Sequence, residues 1–337
     1  MTAVAADIPS PSVLQVDGLT RHFMKPRRMP FAKRRFVRAV EGVSFAIRPG
    51  ETLGLVGESG CGKSTTGRIV AGIDQPTKGR VHYRGIDLAG LSREELRLLR
   101  REVQMIFQNP LSALDPRLAI GRQVGEALEI HAIGNAKERE ERVDEMLAAV
   151  GLSADIKARF PHEISGGQAQ RAVIARALVL NPRLLICDEP VSALDVSVQA
   201  QVVSLLATLQ RDLGLSYLFI SHDLKVVKQL CHRVAVMYLG QIVEEGPSEQ
   251  VFQSPHHPYT KALISAIPVL DPSLRQERIV LKGDPPSPLN PPSGCRFHTR
   301  CPFALPHCAT EPPKVTDLGS GQRAACHLLT DEPPRDA

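Results

Sequence analysis

Three stretches of this chain combine residue types and spacings that can do chemistry. The first, Gly57-Glu58-Ser59-Gly60-Cys61-Gly62-Lys63-Ser64, fits the phosphate-loop pattern GxxxxGK[ST]. Its glycines let the backbone wrap closely around a phosphate, so that main-chain N–H groups donate to it. A helix starting at Lys63 would aim the positive end of its dipole at the anion. Lys63 adds a point charge for the β- and γ-phosphates, and Ser64 offers a hydroxyl to Mg2+. The second stretch, Leu184-Leu185-Ile186-Cys187-Asp188-Glu189, is an apolar run ending in two acids. Acids at the C-terminal end of a strand face a ligand crevice. Asp188 is suited to holding Mg2+ through water, and Glu189 to orienting and polarising an attacking water. Adjacent acids can also simply cap the turn at Pro190; the phosphate loop upstream weighs against that.

The third stretch, Ile164-Ser165-Gly166-Gly167-Gln168, leads into a helical pattern through Arg171. Ser165 can cap that helix, the glycines permit close approach, and a bare helix N-terminus is a second phosphate binder. One chain cannot readily bring two such helix ends onto a single γ-phosphate. A different chemistry lies further along. Cys61, Cys187 and Cys231 are scattered, but Cys295, Cys301, Cys308 and Cys326 crowd together as C-x5-C-x6-C-x17-C. This lacks the CxxC knuckles common in structural zinc sites. Four thiolates in a proline-rich, core-poor segment suit either Zn2+ or a [4Fe–4S] cluster. His298, His307 and His327 stand nearby as substitute ligands. No export signal is read in MTAVAADIPSPSV, so a disulfide framework is not expected.

The elements that must position these residues follow from pattern. Residues 13–19 and 43–48 read as strands, and Glu51–Gly57 as a short apolar strand feeding the phosphate loop and the helix from Lys63. Residues 92–101 and 137–150 show helical spacing. From 165 onward a helix Gln168–Leu180, a strand Leu184–Cys187, a helix 196–211 and a strand Tyr217–Ile220 alternate. That alternation suggests a mostly parallel sheet covered on both faces. Val234–Tyr238 and Gln241–Glu245 flank Leu239-Gly240 as a hairpin. Residues 285–292, PPSPLNPP, hold five prolines in eight positions and read as a stiff linker.

The signature-like stretch resembles the ABC-transporter signature sequence LSGGQ, with Ile164 in place of the first Leu. The other motifs of that family appear in order. Gln108 in MIFQNP resembles the Q-loop glutamine, which contacts Mg2+ and couples the site to a membrane partner. Ser192-Ala193-Leu194-Asp195 resembles the D-loop at the dimer interface, and His222 in FISHD the switch histidine. Phe23, or alternatively Phe36, is the candidate for stacking on adenine, and Thr65 completes the phosphate-binding set. The resemblance spans about residues 13–327. His257-Pro258-Tyr259-Thr260 and GCRFHTRCPFALPHC with a later ACH are similar to the C-terminal region of oligopeptide/dipeptide-importer ATPases, closer to the F-type than the D-type subunit.

This resemblance implies an α/β ABC-type P-loop ATPase cassette with a mostly parallel core sheet, an antiparallel β subdomain, a helical subdomain and a small Cys-rich extension. The expected organisation is a flexible 1–12, a cassette over 13–254 with its helical subdomain at about 109–165, a Pro-rich connection at 255–294, a four-Cys element at 295–327 and a flexible 328–337. It implies that two cassettes pack head to tail around MgATP, each signature closing on the other's phosphate loop. The implied partners are a second ABC ATPase subunit in a heterodimer, two membrane permeases and, indirectly, an extracytoplasmic substrate-binding protein. The implied place is the cytoplasmic face of the inner membrane, and the implied cargo is peptides, with nickel chelates or glutathione as other cargoes. For the four cysteines it favours the cluster over zinc.

Composition limits the rivals. Of the 337 residues, 43% are hydrophobic and 23% charged, which suits a folded globular chain. No run approaches the ~18 apolar residues of a membrane span. Trp is absent and aromatics make up 4%, too few for base-stacking platforms, so nucleic acid is not expected as a partner. Residues 21–38 hold eight Lys/Arg and no acid, against 41 basic and 36 acidic residues overall. That one segment makes the chain basic, as a solvated insertion or as a contact for anionic lipid or nucleic acid. A soluble ABC ATPase acting on ribosomes or DNA usually joins two cassettes or carries a coiled coil, and neither is read here. A nucleotide-independent scaffold would not need Lys63, Asp188, Glu189 and His222 together.

Overall fold

The structure, a computed structural model, describes residues 12–25, 34–268 and 278–330. The central part of the basic segment (26–33), residues 1–11 and residues 331–337 lie outside the described residues, and with them most of both ends expected to be flexible.

The chain runs through β1 (Leu14–Met24), β2 (Phe36–Ile47), β3 (Thr52–Val56), α1 (Lys63–Val70), β4 (Lys78–Tyr83), β5 (Ile86–Asp87), α2 (Arg93–Glu102) and β6 (Val103–Ile106). Strands β2-β1-β4-β5, in that order, form an antiparallel sheet. Next come α3 (Pro110–Ala113), α4 (Ile120–Ile130), α5 (Ala136–Ala149) and α6 (Gly166–Leu178). The remainder is β7 (Leu184–Asp188), α7 (Val196–Leu213), β8 (Ser216–Ser221), α8 (Leu224–Leu230), β9 (Arg233–Tyr238), β10 (Gln241–Pro247), α9 (Ser248–Gln253), α10 (Pro258–Ser265), β11 (Val315–Asp317) and β12 (Arg323–Ala325).

The main sheet has the order β11-β12-β10-β9-β3-β8-β7-β6. From β9 to β6 its strands are parallel. Strands β3, β7 and β8 are buried along their whole length, which is why they read as short apolar runs rather than alternating ones. β7 and β8 end at Asp188 and Ser221, so the acids and the following histidine emerge at the same C-terminal edge as the loop after β3.

Between β6 and β7 the helices α3 to α6 pack on a core that includes Val124, Leu128, Val143, Leu147 and Val173. Burying each such side chain is worth about 1.5–3 kcal/mol. Their starts are written locally: Asn109 caps α3, and Asn135 with Glu138 and Ser165 with Gln168 form capping boxes on α5 and α6. That box sets the start of α6 two residues before the expected Gln168. Buried Gln123 receives the Asp115 N–H and donates to the Asp115 and Leu118 carbonyls, fixing the segment between α3 and α4.

Several elements go beyond the sequence expectations: β4–β5, β6, α8 to α10, and the β11–β12 pair. The last pair adds onto β10 through Glu244↔Ala324 and Glu245↔Arg323, so the C-terminal region shares the main sheet. Ion pairs reinforce this seam: Arg233 bridges Glu51 (3.1 Å) and Glu245, and Arg323 pairs with Glu245 at 2.7 Å. The proline-rich segment is likewise fastened, the Arg38 N–H donating to the Pro288 carbonyl at 3.0 Å. No helix among the described residues is long and apolar enough to cross a membrane.

Candidate nucleotide-binding site

The loop between β3 and α1 is shaped by glycines whose geometry excludes a side chain. At Gly57 (φ 150°) a Cβ would lie 2.1 Å from the Met237 carbonyl oxygen, and at Gly62 (φ 108°) 2.2 Å from that of Ala39. Gly62 starts α1 without a side-chain cap, so the first N–H groups of the helix are not spent on one. Lys63 is buried, and its Nζ donates to the carbonyls of Gly57 (2.7 Å) and Glu58 (3.1 Å). Ser59, Gly60 and Ser64 are exposed, Thr65 half-buried, and Cys61 buried beneath the loop. Burial pushes the Cys61 thiol up, with Lys63 opposing, so it stays protonated and is no competing nucleophile.

Ser64 Oγ donates to Asp188 Oδ1 at 2.9 Å, joining the loop to the end of β7. Burial raises the Asp188 carboxyl above its ordinary value, the Ser64 hydrogen bond opposes this, and the Glu189 charge adds to it. A hydroxyl and a carboxylate in contact are a hard-oxygen donor set, which fits Mg2+. Glu189 follows at φ 48°, a left-handed conformation that a non-glycine residue adopts only when its surroundings impose it. Its N–H donates to the Ile220 carbonyl at 2.9 Å, which fixes the turn. Its nearly buried carboxylate receives Gln108 Nε2 at 2.9 Å and lies 3.2 Å from His222 Nδ1, both at Oε2. The structure thus brings Lys63, Ser64, Gln108, Asp188, Glu189 and His222 to one edge.

The other candidates lie around it. Ser165 Oγ accepts the Gln168 N–H at 3.3 Å, and Gln168 Oε1 accepts the Ser165 N–H at 2.9 Å, on an exposed helix start. Gly167 faces α7: a Cβ there would lie 2.7 Å from Val198 Cγ1, while one at Gly166 would have Leu194 as neighbour at 3.8 Å. Ser192 Oγ donates to the Glu189 carbonyl, and Asp195 caps α7 through the Val198 N–H at 3.0 Å. Phe23 is part exposed beside Arg21, whose guanidinium sits 4.6 Å from the ring centre; Phe36 is exposed opposite Met24.

Two residues that sequence reasoning does not place at this site touch it. The Tyr259 hydroxyl accepts the Glu58 N–H at 2.9 Å, and Arg300 pairs with both oxygens of the Glu58 carboxylate at 2.7 and 3.1 Å. Tyr259 belongs to the HPYT stretch with its family likeness, but nothing in its spacing ties it to the loop.

The four cysteines of the extension form one neighbourhood. Burial, with the nearby Cys295, Cys301 and Cys308 thiols adding to it, pushes Cys326 up to about 11. The Cys295 N–H donates to the Cys308 carbonyl at 2.8 Å. Among the described residues, the compact trio with ligand atoms within 4.8 Å of one another is His307, Cys308 and His327 rather than three of the cysteines. Thiol sulfurs around one Zn2+ would sit about 4 Å apart, given Zn–S bonds of ~2.3 Å. Cysteine thiolates and histidine nitrogens are both donors that a metal can take, and this part of the chain supplies both.

Comparison with known proteins decides the family. Residues 40–192 match the ABC transporter family, and residues 243–308 match the oligopeptide/dipeptide transporter C-terminal region. The chain is 48% identical over 324 residues to the oligopeptide transport ATP-binding protein AppF of Bacillus subtilis, covering 95% of this chain and 98% of that one. It is 49% identical over 314 residues to the dipeptide transport ATP-binding protein DppF of Haemophilus influenzae, covering 93% and 96%. The chain belongs to the ATP-binding subunits of the oligopeptide/dipeptide ABC transporters. Its fold is that of the ATP-binding cassette MJ0796 in a dimeric post-hydrolysis state bound to ADP and Pi, at a TM-score of 0.62 and 28% identity over 70% of this chain and 98% of that one. As an ABC ATP-binding subunit the chain is an ATPase that works with Mg2+ and drives transport.

Proposed function

We propose that this chain is the ATP-hydrolysing subunit that powers import of peptides through separate permease chains, MgATP being held between two cassettes. The observation that carries the reading is the Glu189 carboxylate, which Gln108 and His222 both approach beside the linked Ser64–Asp188 pair. The relatives' names, oligopeptide and dipeptide transport ATP-binding proteins, support the cargo.

In this reading the loop N–H groups from Gly60 to Thr65 and the Lys63 ammonium bind the phosphates, and Ser64, Asp188 and Gln108 hold Mg2+. Mg2+ held by these residues would supply neutralisation of the charge on the phosphate oxygens. Lys63 exchanges its two carbonyl partners for phosphate oxygens on binding. Glu189, fixed by its strained turn, orients and polarises the attacking water. His222 stabilises the charge that spreads over the γ-phosphoryl group. Ser165 to Gln168 serve the nucleotide of a partner cassette, and Ser192 to Asp195 lie at that interface. Phe23 stacks on the adenine. The segment after Gln108 carries closure to the permease, and a substrate-binding protein delivers peptide from outside.

The subunit acts from the cytoplasmic face of the inner membrane, paired with a second, different ATPase. Cys295, Cys301, Cys308 and Cys326 hold a [4Fe–4S] cluster with a structural role; the His307–Cys308–His327 trio favours Zn2+ as the alternative occupant. The decisive experiment is Glu189→Gln in the assembled transporter. MgATP binding is expected to persist while turnover falls about 10²–10³-fold. Hydrolysis at the parental rate would show that Glu189 is not the catalytic residue.

A further inference from the structure

The phosphate-binding loop is held from behind by the C-terminal extension, and Glu58 is the joint. Its carbonyl takes Lys63 Nζ at 3.1 Å, its N–H is taken by the Tyr259 hydroxyl at 2.9 Å, and its carboxylate is gripped on both oxygens by Arg300. The three partners lie 5, 201 and 242 positions away in sequence. Neither outer partner is free to drift. Tyr259 packs edge-on against Tyr238, with ring centres 4.7 Å apart, and Phe297 closes the cluster at 5.2 Å from Tyr238 and 5.5 Å from Tyr259. The Tyr259 N–H is itself tied to buried His257 Nδ1 at 3.0 Å. Arg300 is almost buried, while Glu58 keeps partial access to solvent. Arg296, on the same turn of chain, binds the Leu239 carbonyl and lies 3.3 Å from Glu41, and the Gly240 N–H donates to the Cys61 carbonyl at 2.8 Å. The loop therefore has fixed contacts along the side that faces the extension.

We propose that Tyr259 and Arg300 are positioning residues of the nucleotide site, holding Glu58 so that the phosphate-binding loop is already set when nucleotide arrives. A loop that must be ordered by its ligand takes the cost of ordering out of the affinity, whereas a pre-set loop does not. The Glu58 N–H is committed to Tyr259, and the Cys61 N–H donates to the Glu58 carbonyl at 3.3 Å, so the turn is tied on both sides of Glu58. A bidentate guanidinium–carboxylate pair fixes direction as well as distance, which a single lysine contact cannot do. The contribution is made before binding, so it appears in nucleotide affinity and not in the chemical step.

This inference rests on the nucleotide site proposed above, and its test separates the two. Equilibrium binding of MgATP and MgADP is measured on the full chain, with KM and kcat measured in the assembled transporter. Failure of the parental chain to bind MgATP would sink the site itself. If it binds, Arg300→Ala is expected to weaken both nucleotides about five- to tenfold and to raise KM alike, with kcat at saturating ATP within about twofold. Arg300→Lys recovers part of the loss. Tyr259→Phe, which removes one oxygen, weakens binding about two- to threefold, and it decides the matter if Arg300→Ala does not fold. Parental affinity in a folded variant overturns the proposal, as does a fall in kcat with unchanged affinity, which is what a merely structural role gives.

Discussion

Two helix starts in this molecule are the proposed phosphate binders, and they are built in opposite ways. α1 begins at Gly62 with no side-chain cap, follows a fully buried strand, and has Lys63 sunk among loop carbonyls. Everything that shapes it comes from this chain: Ala39 and Met237 press on its glycines, and Tyr259 and Arg300 hold Glu58. α6 begins at Ser165 on the surface and spends its Gln168 N–H on its own serine, leaving Gly166 and Gly167 as the bare part of the turn. The side chains that face those two glycines, Leu194 and Val198, are apolar and offer a phosphate nothing. In the proposed reading the first site is finished within one subunit and the second by another, and the difference in what surrounds the two helix starts supports that reading. A helix N-terminus by itself is common; what distinguishes a ligand site is what else is brought to it.

The comparison can be broken most severely at Gly62. Gly62→Ala places a Cβ against the Ala39 carbonyl at a φ that L residues avoid. Nucleotide binding should fall more than about 100-fold, with roughly 2–4 kcal/mol lost from stability, read by calorimetry and denaturant unfolding. Near-parental binding would mean the loop is softer than these contacts imply. Gly166→Asp is the matched change at the other helix. It should leave nucleotide binding to the isolated chain within about twofold and cut turnover of the assembled transporter about 100-fold, because a carboxylate then meets the partner's γ-phosphate. Weakened binding to the isolated chain would instead place α6 at its own nucleotide.

The smallest effect concerns the scaffold behind α1. Burial holds His257 neutral, down to about 3 from an ordinary 6.5, and its Nδ1 must stay unprotonated to accept the Tyr259 N–H. The unfolded chain takes up a proton below about pH 6.5 that the folded chain refuses until near pH 3, so this residue's contribution to stability shrinks as pH falls through that window. His257→Asn keeps an acceptor at the helix start and should flatten the acid dependence by up to about 1.4 kcal/mol per pH unit. Unfolding midpoints measured from about pH 7 to pH 4 that fall equally steeply in both proteins would show that His257 does not set the acid sensitivity.

Legibility in the sequence tracks locality. GESGCGKS, the apolar run into Asp188-Glu189 and the Ser165–Gln168 box each specify their own backbone within a few residues. Their elements accordingly appear at β3–α1, β7 and α6. The KGRVHY strand escapes sequence reasoning because it mixes polar and apolar residues, and β11 and β12 are three residues each, shorter than any periodicity can register. Glu58 illustrates the other limit. Its neighbours mark it only as a variable position of the pattern, and its partners are known once β9, α10 and the cysteine-bearing turns are packed together.

Alone, the order of amino acids determined the chemistry on offer: a glycine loop with Lys63 and Ser64, a strand ending in Asp188 and Glu189, a capped helix at Ser165, and four cysteines in a short span. These are local facts, since hydrogen-bonding reach and backbone freedom are set by neighbouring residues. Only the tertiary structure decided that Gln108 and His222 meet on one oxygen of Glu189, and that Arg300 and Tyr259 reach back to Glu58. Contacts across 33 to 242 positions depend on which strands lie side by side, and that order follows from burying the whole core together.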